Sequence, residues 1–421
     1  MASPHTQTFV LVIGSTTHFE TDLLVFGVLL VAGALVSGIA RETPLSLMAL
    51  FVIVGFVLGS GGFDVLHTRA RSEFVGDLAT VALIVILFRD GLEVEREMLQ
   101  EHWHLPFRKL ALGMPVTAII VALAAHTFTD LSWTESFLIG ALLSPTDPVL
   151  SSSVVTNPRV PRLIRHSLNL ESGLNDGLAL PAVLAFSAAL AAGQSHFVWW
   201  RFVLEDVTIG FATGVVVGLV GATLMRREES LERAEISPHW KALYALGVAF
   251  AAYGLAVLPP RGNGLIAVYV AAITLGIRRP DLRSYVARQS EDLVEIVKLG
   301  IFVVFGSLLT VHGLFGDGWA AVGIVVVTFL VARPVAVFLA LIGTRTDTAE
   351  RAFMAWFGPK GVATMTFSLL VLSQQIEAGV RIFNIAALAV FTSIVVHGIT
   401  DTPGSNWIGR HEESTAAARR Q

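Results

Sequence analysis

Cysteine is absent from this sequence and charged residues are scarce. None of the 421 residues is a cysteine, which excludes disulfide bonds and thiolate metal sites. Charged residues make up 15% of the chain, whereas a soluble domain usually carries about 25%. The net charge is only −4 at pH 7, so there is no basic excess of the kind that binds nucleic acid. The segment 1–20 lacks a basic n-region, and we therefore do not expect a cleavable signal peptide.

Apolar residues dominate instead. They form 54% of the chain, and the mean hydropathy is +0.69. Apolar runs of roughly 17 to 25 residues recur along almost the whole length, and each is long enough to cross a bilayer. The sequence predicts an all-α polytopic membrane protein, a single membrane domain over 1–421. We expect about thirteen transmembrane helices, at 22–40, 44–61, 75–94, 107–127, 133–154, 167–194, 202–225, 238–257, 263–278, 292–313, 317–342, 349–374 and 381–400.

Lysine and arginine are distributed unevenly among the connections. Odd-numbered connections and the C-terminal segment hold about nineteen of them, with Arg108 and Lys109 counted in this group, and the remaining segments hold about five. By the positive-inside rule the odd connections are cytoplasmic. The N-terminus is then predicted outside the cell, and residues 401–421 form a short cytoplasmic tail.

The fifth and twelfth spans are both interrupted by proline among polar residues. They lie seven spans apart, which makes them equivalent positions in an inverted repeat. We therefore predict a first six-helix repeat over about 22–194, a linker helix over about 202–225 and a second repeat over about 238–400. Paired, broken hydrophobic segments indicate a transporter site near the membrane midplane, where both helices would be unwound.

Span five contains Pro145 and Pro148, which lack N–H groups. The carbonyls of Ala141 and Ser144 therefore lose their helical partners. Unwound backbone at membrane depth survives only where protein or a wet cavity covers it. Free carbonyls beside Asp147 favour a site for a small cation, and the alternative is a proline kink with a capping aspartate.

Span six carries polar side chains on two neighbouring helical stripes. Glu171 lies below Asn175, and Ser172 lies below Asp176, because residues four apart share a face. One stripe can face a structural partner and the other an ion, although the whole cluster could be structural. Asp176 lies about ten residues into its span, roughly 15 Å deep, which is near the middle of a core about 30 Å thick.

Span twelve places Lys360 between Pro359 and Gly361 at a similar depth. A buried lysine needs a carboxylate partner. The sequence favours Glu171 for this pairing, with Asn175 as a hydrogen-bonding neighbour. A direct role of Lys360 in proton transport is the alternative.

Other polar residues are less clearly placed. Asp90, at the end of span three, could be a peripheral ligand or gate, or could form an interfacial pair with Arg89. Lys298 is predicted to extend to the cytoplasmic interface, and His397 is predicted to be interfacial. Arg333 lies deeper and has no predicted partner.

The segments 144–148, 171–177 and 358–361 resemble the motifs of NhaP/NHE-type sodium/proton exchangers of the cation:proton antiporter superfamily. The motifs occur in the family's order, and the resemblance covers nearly the whole chain. It implies a homodimer of thirteen-helix subunits in the lipid bilayer, each with a dimerisation part and a moving transport part. It also implies a secondary transporter rather than an enzyme, with no cofactor. The absence of a long C-terminal regulatory domain suggests a prokaryotic plasma-membrane protein.

The resemblance also implies roles for individual residues. Asp176 would bind Na⁺, helped by Asp147, Ser172 and the Thr146 backbone. The site would be braced by Asn175, Glu171 and Lys360. Two positions depart from the family pattern. The family often has arginine at Lys360, and lysine cannot make the same bidentate pairing. It commonly has glutamate at Asp90, where the shorter side chain makes a ligand role less favourable.

An ionised carboxylate is costly inside a membrane, so Asp176 is expected to hold either a proton or Na⁺. Competition between them gives exchange if only loaded forms cross by alternating access. By family analogy the Asn-Asp pair, with one ionisable group, indicates electroneutral exchange. The alternatives are K⁺ or Li⁺ as the exchanged ion, an ion channel or anion carrier, and an intramembrane aspartyl protease.

Overall fold

A computed structural model describes residues 47–94, 104–147, 152–193, 197–230, 237–259, 261–282 and 291–420, with four isolated positions at residues 24, 27, 28 and 31. The first predicted span, 22–40, therefore lies almost entirely outside the described residues. Every regular element among the described residues is helical, with no strand. An all-helical architecture follows for this part of the chain.

The first half of the chain contains seven described helices. They are α1 Leu47–Leu58, α2 Glu73–Leu92, α3 His104–Phe128, α4 Trp133–Leu143, α5 Ser152–Thr156, α6 Arg162–Ala191 and α7, which begins at Trp199 and continues as Thr208–Ser230.

The second half continues the series. It contains α8 Pro238–Val257, α9 Gly264–Arg278, α10 Glu291–Ser307, the short α11 Val311–Leu314, α12 Trp319–Ala340, α13 Thr348–Trp356, α14 Val362–Ser373 and α15 Gly379–Arg420. The last helix continues through residues 401–420, which the sequence assigned to a tail.

Six helices of the described residues are long and apolar enough to cross a membrane, namely α3, α6, α7, α8, α12 and α15. The shorter apolar helices are α1, α4, α9 and α14. Most helix limits fall within a few residues of the predicted spans, and α8 matches its prediction of 238–257 at both ends. The hydrophobic runs thus located the helices well.

Two capping boxes begin α4 and α13. At α4 the Ser132 side chain accepts from the Glu135 N–H, and the Glu135 carboxylate accepts from the Ser132 N–H. At α13 the same reciprocal pair joins Asp347 and Glu350. Each box satisfies N–H groups that a helix start leaves without partners. Both helices are therefore fixed at their starts, and both stop after a few turns.

Glycine lets several helices approach closely. Gly55 of α1 and Gly59, just after α1, lie against the backbone of Val303 and Ser307 in α10, and a Cβ at either position would overlap it. Gly91 of α2 lies against α9 in the same way. Small residues at helix contacts are typical of membrane proteins, where backbones pack directly on each other. The helices α1, α2, α9 and α10 therefore form one closely packed group.

Two π-helical stretches lie in helices that pack around α6. Lys109–Gly113 interrupts α3 near its start, and Thr328–Ala332 interrupts α12. Lys109 opens the first stretch, and Arg333 directly follows the second. Stretches of this kind often occur at functional sites, and both cations point to the same acidic residue.

Candidate functional site

The chain leaves the helical conformation at Ser144–Asp147, after α4, and at residues 357–361, between α13 and α14. The two segments cross and bond to each other. The Asp147 N–H donates to the Pro359 carbonyl at 2.8 Å, and the Thr364 hydroxyl donates to the Leu142 carbonyl at 3.0 Å. The crossing brings residues 215 positions apart in sequence into direct contact.

The carboxylate of Asp147 caps α14 across this crossing. Its Oδ2 accepts from the Val362 N–H at 2.9 Å, and a Cβ at Gly361 would overlap it. The first N–H groups of a helix have no intrahelical partner, and a carboxylate there is favourable. The capping role is thus observed, although the helix that Asp147 caps belongs to the other interrupted segment.

Lys360 lies in the crossing and is fully buried. Its Nζ donates to the Pro145 carbonyl at 3.0 Å and to the Ser144 carbonyl at 3.4 Å. The predicted Lys360–Glu171 pair is therefore wrong. The physical reason is the proline-broken backbone of span five, whose carbonyls supply the acceptors that the ammonium group needs.

Glu171 is instead paired with two other buried cations. Lys109 Nζ lies 2.7 Å from Glu171 Oε2, and Arg333 Nη1 lies 2.6 Å from Oε1, with Nη2 at 3.2 Å from Oε2. This is a bidentate arginine pair with a lysine added. Sequence reasoning counted Lys109 among the cytoplasmic connections and left Arg333 without a partner. Their positions inside predicted spans were the available signal.

Arg333 also holds the interruption in span twelve. Its Nη2 donates to the Met354 carbonyl at 3.3 Å, and a Cβ at Gly358 would overlap the guanidinium group. The Glu171 carboxylate therefore connects α3, α6 and α12, and through Arg333 it reaches the end of α13. This agrees with a bracing role for Glu171.

Asn175 braces the other interruption. Its Nδ2 donates to the Thr146 carbonyl at 2.6 Å and lies 3.0 Å from the Thr146 hydroxyl. The prediction that Asn175 neighbours a Lys360–Glu171 pair is corrected accordingly. The Thr146 carbonyl, expected to help bind the ion, is engaged by this amide.

Asp176 follows directly and lies within electrostatic range of two further acids, Asp90 and Asp147, and of Lys298. It is buried, and its Oδ1 has no hydrogen-bond partner among the described residues. Ser172 is half-buried one turn before it. The predicted acids therefore meet around Asp176. Lys298 is half-buried and lies within electrostatic range of Asp90 and Asp176.

His397, predicted to be interfacial, is buried among the helices. It is 1% exposed. Its Nε2 lies 2.9 Å from the Trp356 carbonyl at the end of α13, and its Nδ1 lies 2.9 Å from the Ser393 carbonyl. The Ser393 hydroxyl accepts from the Lys360 N–H at 2.8 Å. His397 and Ser393 thus attach the second interruption to α15.

The revised contacts of Lys360 change what its removal should do. Lys360→Met leaves two buried carbonyls without a donor, at a cost of about 1–3 kcal/mol each, but leaves both partners of Glu171 in place. A double-mutant cycle on thermal unfolding should therefore give a larger coupling for Glu171→Gln with Arg333→Met than for Glu171→Gln with Lys360→Met. A larger coupling of Glu171 with Lys360 than with Arg333 would instead support the predicted Lys360–Glu171 pair.

Comparisons with known proteins give one family and several relatives. A sequence model described as "Sodium/hydrogen exchanger, transmembrane" matches residues 27–407. The K(+)/H(+) antiporter NhaP of Alkalimonas amylolytica is 25% identical over 391 residues, which cover 92% of this chain and 66% of that protein. The Na(+)/H(+) antiporter 2 of Zygosaccharomyces rouxii is 24% identical over 387 residues, which cover 82% of this chain and 48% of that protein. The chain thus spans two thirds or less of the length of these relatives.

A solved structure shares the fold. The sodium proton antiporter MjNhaP1 from Methanocaldococcus jannaschii matches with a TM-score of 0.77, over 93% of this chain and 99% of that chain, at 18% sequence identity. At this identity the likeness shows the fold alone.

Proposed function

This chain belongs to the sodium/hydrogen exchanger family, and on that premise we propose that it is a secondary antiporter that exchanges Na⁺ for a proton at Asp176. The proposal concerns the residue, the ion and the mechanism. The family assignment, the contacts around Asp176 and the fold support it.

One observation carries the proposal, namely that Asp176 is a buried acid whose Oδ1 has no hydrogen-bond partner among the described residues. Three other buried ionisable groups among the described residues already have partners. Glu171 is paired with two cations, Asp147 caps α14, and Lys360 bonds to carbonyls. A carboxylate at membrane depth is costly unless it has a partner or a function. Asp176 is therefore the group best able to exchange one ligand for another.

Exchange follows from competition for this carboxylate. A proton or a Na⁺ ion neutralises Asp176, and the empty, charged form is the costly one to move through a low-dielectric region. If only neutralised forms cross between inward-facing and outward-facing states, each proton carried one way is matched by one cation carried back. Asn175 adds no second ionisable group, so the exchange is electroneutral. Asp90, Asp147, Ser172 and Thr146 surround the ion or its path.

The architecture in this proposal has thirteen transmembrane helices arranged as two inverted repeats with a linker helix. The segments 144–147 and 357–361 are its unwound parts at the midplane, supported by the limits of α4, α13 and α14. The uneven distribution of lysine and arginine supports an outside N-terminus and a cytoplasmic C-terminus. The protein acts as a homodimer in the plasma membrane of a prokaryote, in line with the bacterial relative among those compared.

K⁺ is a second candidate for the exchanged ion. The relative from Alkalimonas amylolytica is named a K(+)/H(+) antiporter, whereas the fold match and the yeast relative are named as sodium antiporters. Backbone and carboxylate oxygens accept either ion.

The test is a pH-gradient dequenching assay with the full chain in proteoliposomes. Na⁺, K⁺ and Li⁺ are titrated separately, and the half-maximal concentration is measured for each at a fixed pH. We expect the lowest value for Na⁺. A lower value for K⁺ would favour the second candidate, and unitary currents without proton coupling would replace the antiporter by a channel.

A further inference from the structure

Helix α9 lies against both helices that carry acids facing the site. A Cβ at Gly91, next to Asp90 in α2, would lie 2.7 Å from the Ala272 side chain and 3.0 Å from the Tyr269 carbonyl. Helix α9 also packs against α6. The acids of α2 and α6 are therefore both bordered by one helix.

Tyr269 makes the contact between α9 and α6. Its ring lies directly on Gly177, the residue after Asp176, and any Cβ at Gly177 would overlap the ring. Its hydroxyl donates to the Gly173 carbonyl at 3.3 Å. The side chain thus spans Gly173–Gly177, the helical turn that carries Asp176, and the residue is only 7% exposed.

Charged groups face this tyrosine from several helices. It lies within electrostatic range of Asp90 and Asp176. The charged groups within electrostatic range of these two acids are Arg89 of α2, Glu93 just after α2, Lys298 of α10 and Asp147 beside the crossing. The ring is thus the apolar surface at one side of a cluster of charges.

We propose that Tyr269 is a positioning residue for the exchange: it holds the α6 turn that carries Asp176 and closes the α9 side of the Asp90–Asp176 pair to water. This inference rests on the proposed function of Asp176. No other described side chain covers Gly177 so closely. Removing the ring exposes the carboxylate to water from α9, and removing only the hydroxyl loosens the turn while the ring stays.

Two other tyrosines provide matched controls. The Tyr244 hydroxyl in α8 donates to the Gly221 carbonyl of α7 at 2.7 Å, and the Tyr253 ring lies on Gly264 as Tyr269 lies on Gly177. Tyr244→Phe and Tyr253→Ala therefore remove the same kinds of contact at places where neither Asp90 nor Asp176 is the neighbour. If the Tyr269 variants acted only through a general loss of packing, Tyr244→Phe and Tyr253→Ala would change transport as well.

The first measurement is the half-maximal Na⁺ concentration, read separately from the maximal rate at several pH values in proteoliposomes. Tyr269→Ala should raise that concentration by about tenfold or more, and Tyr269→Phe by about threefold to tenfold, the loss expected from one neutral hydrogen bond. The pH profile should shift in Tyr269→Ala, while Tyr244→Phe and Tyr253→Ala behave as wild type.

The second measurement is water access to the Asp176 stripe of α6. The chain has no native cysteine, so an introduced cysteine is its only reactive thiol. Ser172→Cys places one thiol on the Asp176 stripe, and its rate of reaction with a membrane-impermeant thiol reagent is measured. Tyr269→Ala should raise that rate about tenfold, whereas Tyr269→Phe and Tyr253→Ala should leave it unchanged. Gly177→Ala displaces the Tyr269 ring without removing it and should also raise the labelling rate. If Tyr269→Ala does not fold, the labelling rate of Gly177→Ala tests whether the ring excludes water.

Unchanged labelling and an unchanged half-maximal concentration in Tyr269→Ala would overturn the inference, as would equal effects in the control variants. Different results would contradict the proposed exchange at Asp176. Wild-type protein would then show no exchange, or Asp176→Asn would retain it, whatever the labelling rates.

Discussion

Replacing Asp176 with asparagine is expected to abolish cation-dependent proton movement while the protein still folds. Asparagine keeps the size and polarity of the side chain but cannot release a proton or neutralise a cation. Because the Asp176 Oδ1 has no hydrogen-bond partner among the described residues, the fold does not depend on that oxygen. The measurement is dequenching of a pH-gradient dye in proteoliposomes, together with the melting temperature of the purified variant.

Asp77→Asn is the matched control for this substitution. Asp77 is exposed near the start of α2, so the same chemical change there should leave both exchange and melting temperature unaltered. Full exchange by Asp176→Asn would contradict the assignment of the carrier residue. A variant that does not fold would instead show that Asp176 has a structural role.

The second large effect is expected from Glu171→Gln. This change leaves Lys109 and Arg333 buried with no carboxylate between them. Removing one partner of a buried ion pair typically costs about 3–5 kcal/mol, because the remaining charge stays desolvated. We expect a large drop in melting temperature and in the yield of folded protein, measured by thermal unfolding in detergent.

Two further variants sharpen this expectation. Glu205→Gln breaks the more exposed pair of Glu205 with Arg201, and such pairs contribute about 1 kcal/mol or less, so its melting temperature should stay near that of wild type. Replacing Glu171, Lys109 and Arg333 together with apolar residues of similar volume should recover part of the lost stability. Wild-type melting of Glu171→Gln alone would show that the buried pairs do not support the fold.

The helix positions and the two interruptions could be predicted from the sequence because their causes are local. Apolar runs determine where helices can cross a membrane, and Pro145 and Pro148 remove particular N–H groups. The structure shows the expected result at Ala141, whose freed carbonyl accepts from the Ser144 hydroxyl at 3.0 Å. The resemblance to sodium/proton exchangers, drawn from three short motifs, is confirmed by the family match and the shared fold.

The partners of Glu171 could not be predicted, because they depend on which helices pack around α6. Three buried cations were available to it, and sequence distance does not rank them. Lys109 lies only a few residues inside its helix, so it was counted with the cytoplasmic charges. Only the packing of α3 and α12 on α6 shows that Lys109 and Arg333 reach the same carboxylate.

Tyr269 and His397 were missed for a different reason. A tyrosine within an apolar helix and a histidine near a predicted span end are common, and neither stands out without its neighbours. Their roles depend on contacts with Gly177 and with the Trp356 carbonyl, which are far away in sequence. Such contacts follow from the crossing of helices and not from any local pattern.

The ammonium group of Lys360 occupies backbone oxygens that a small metal ion could otherwise use. In the proposed exchange, the ion is therefore bound at the Asp176 carboxylate and not by a ring of carbonyls with a fixed radius. On the same proposal, preference for one alkali metal over another would depend on α2 and α9, which place Asp90 and Tyr269 beside the turn that carries Asp176. Substitutions in α2 and α9 would then change which metal ion the protein carries, while both proline-containing segments stay unchanged.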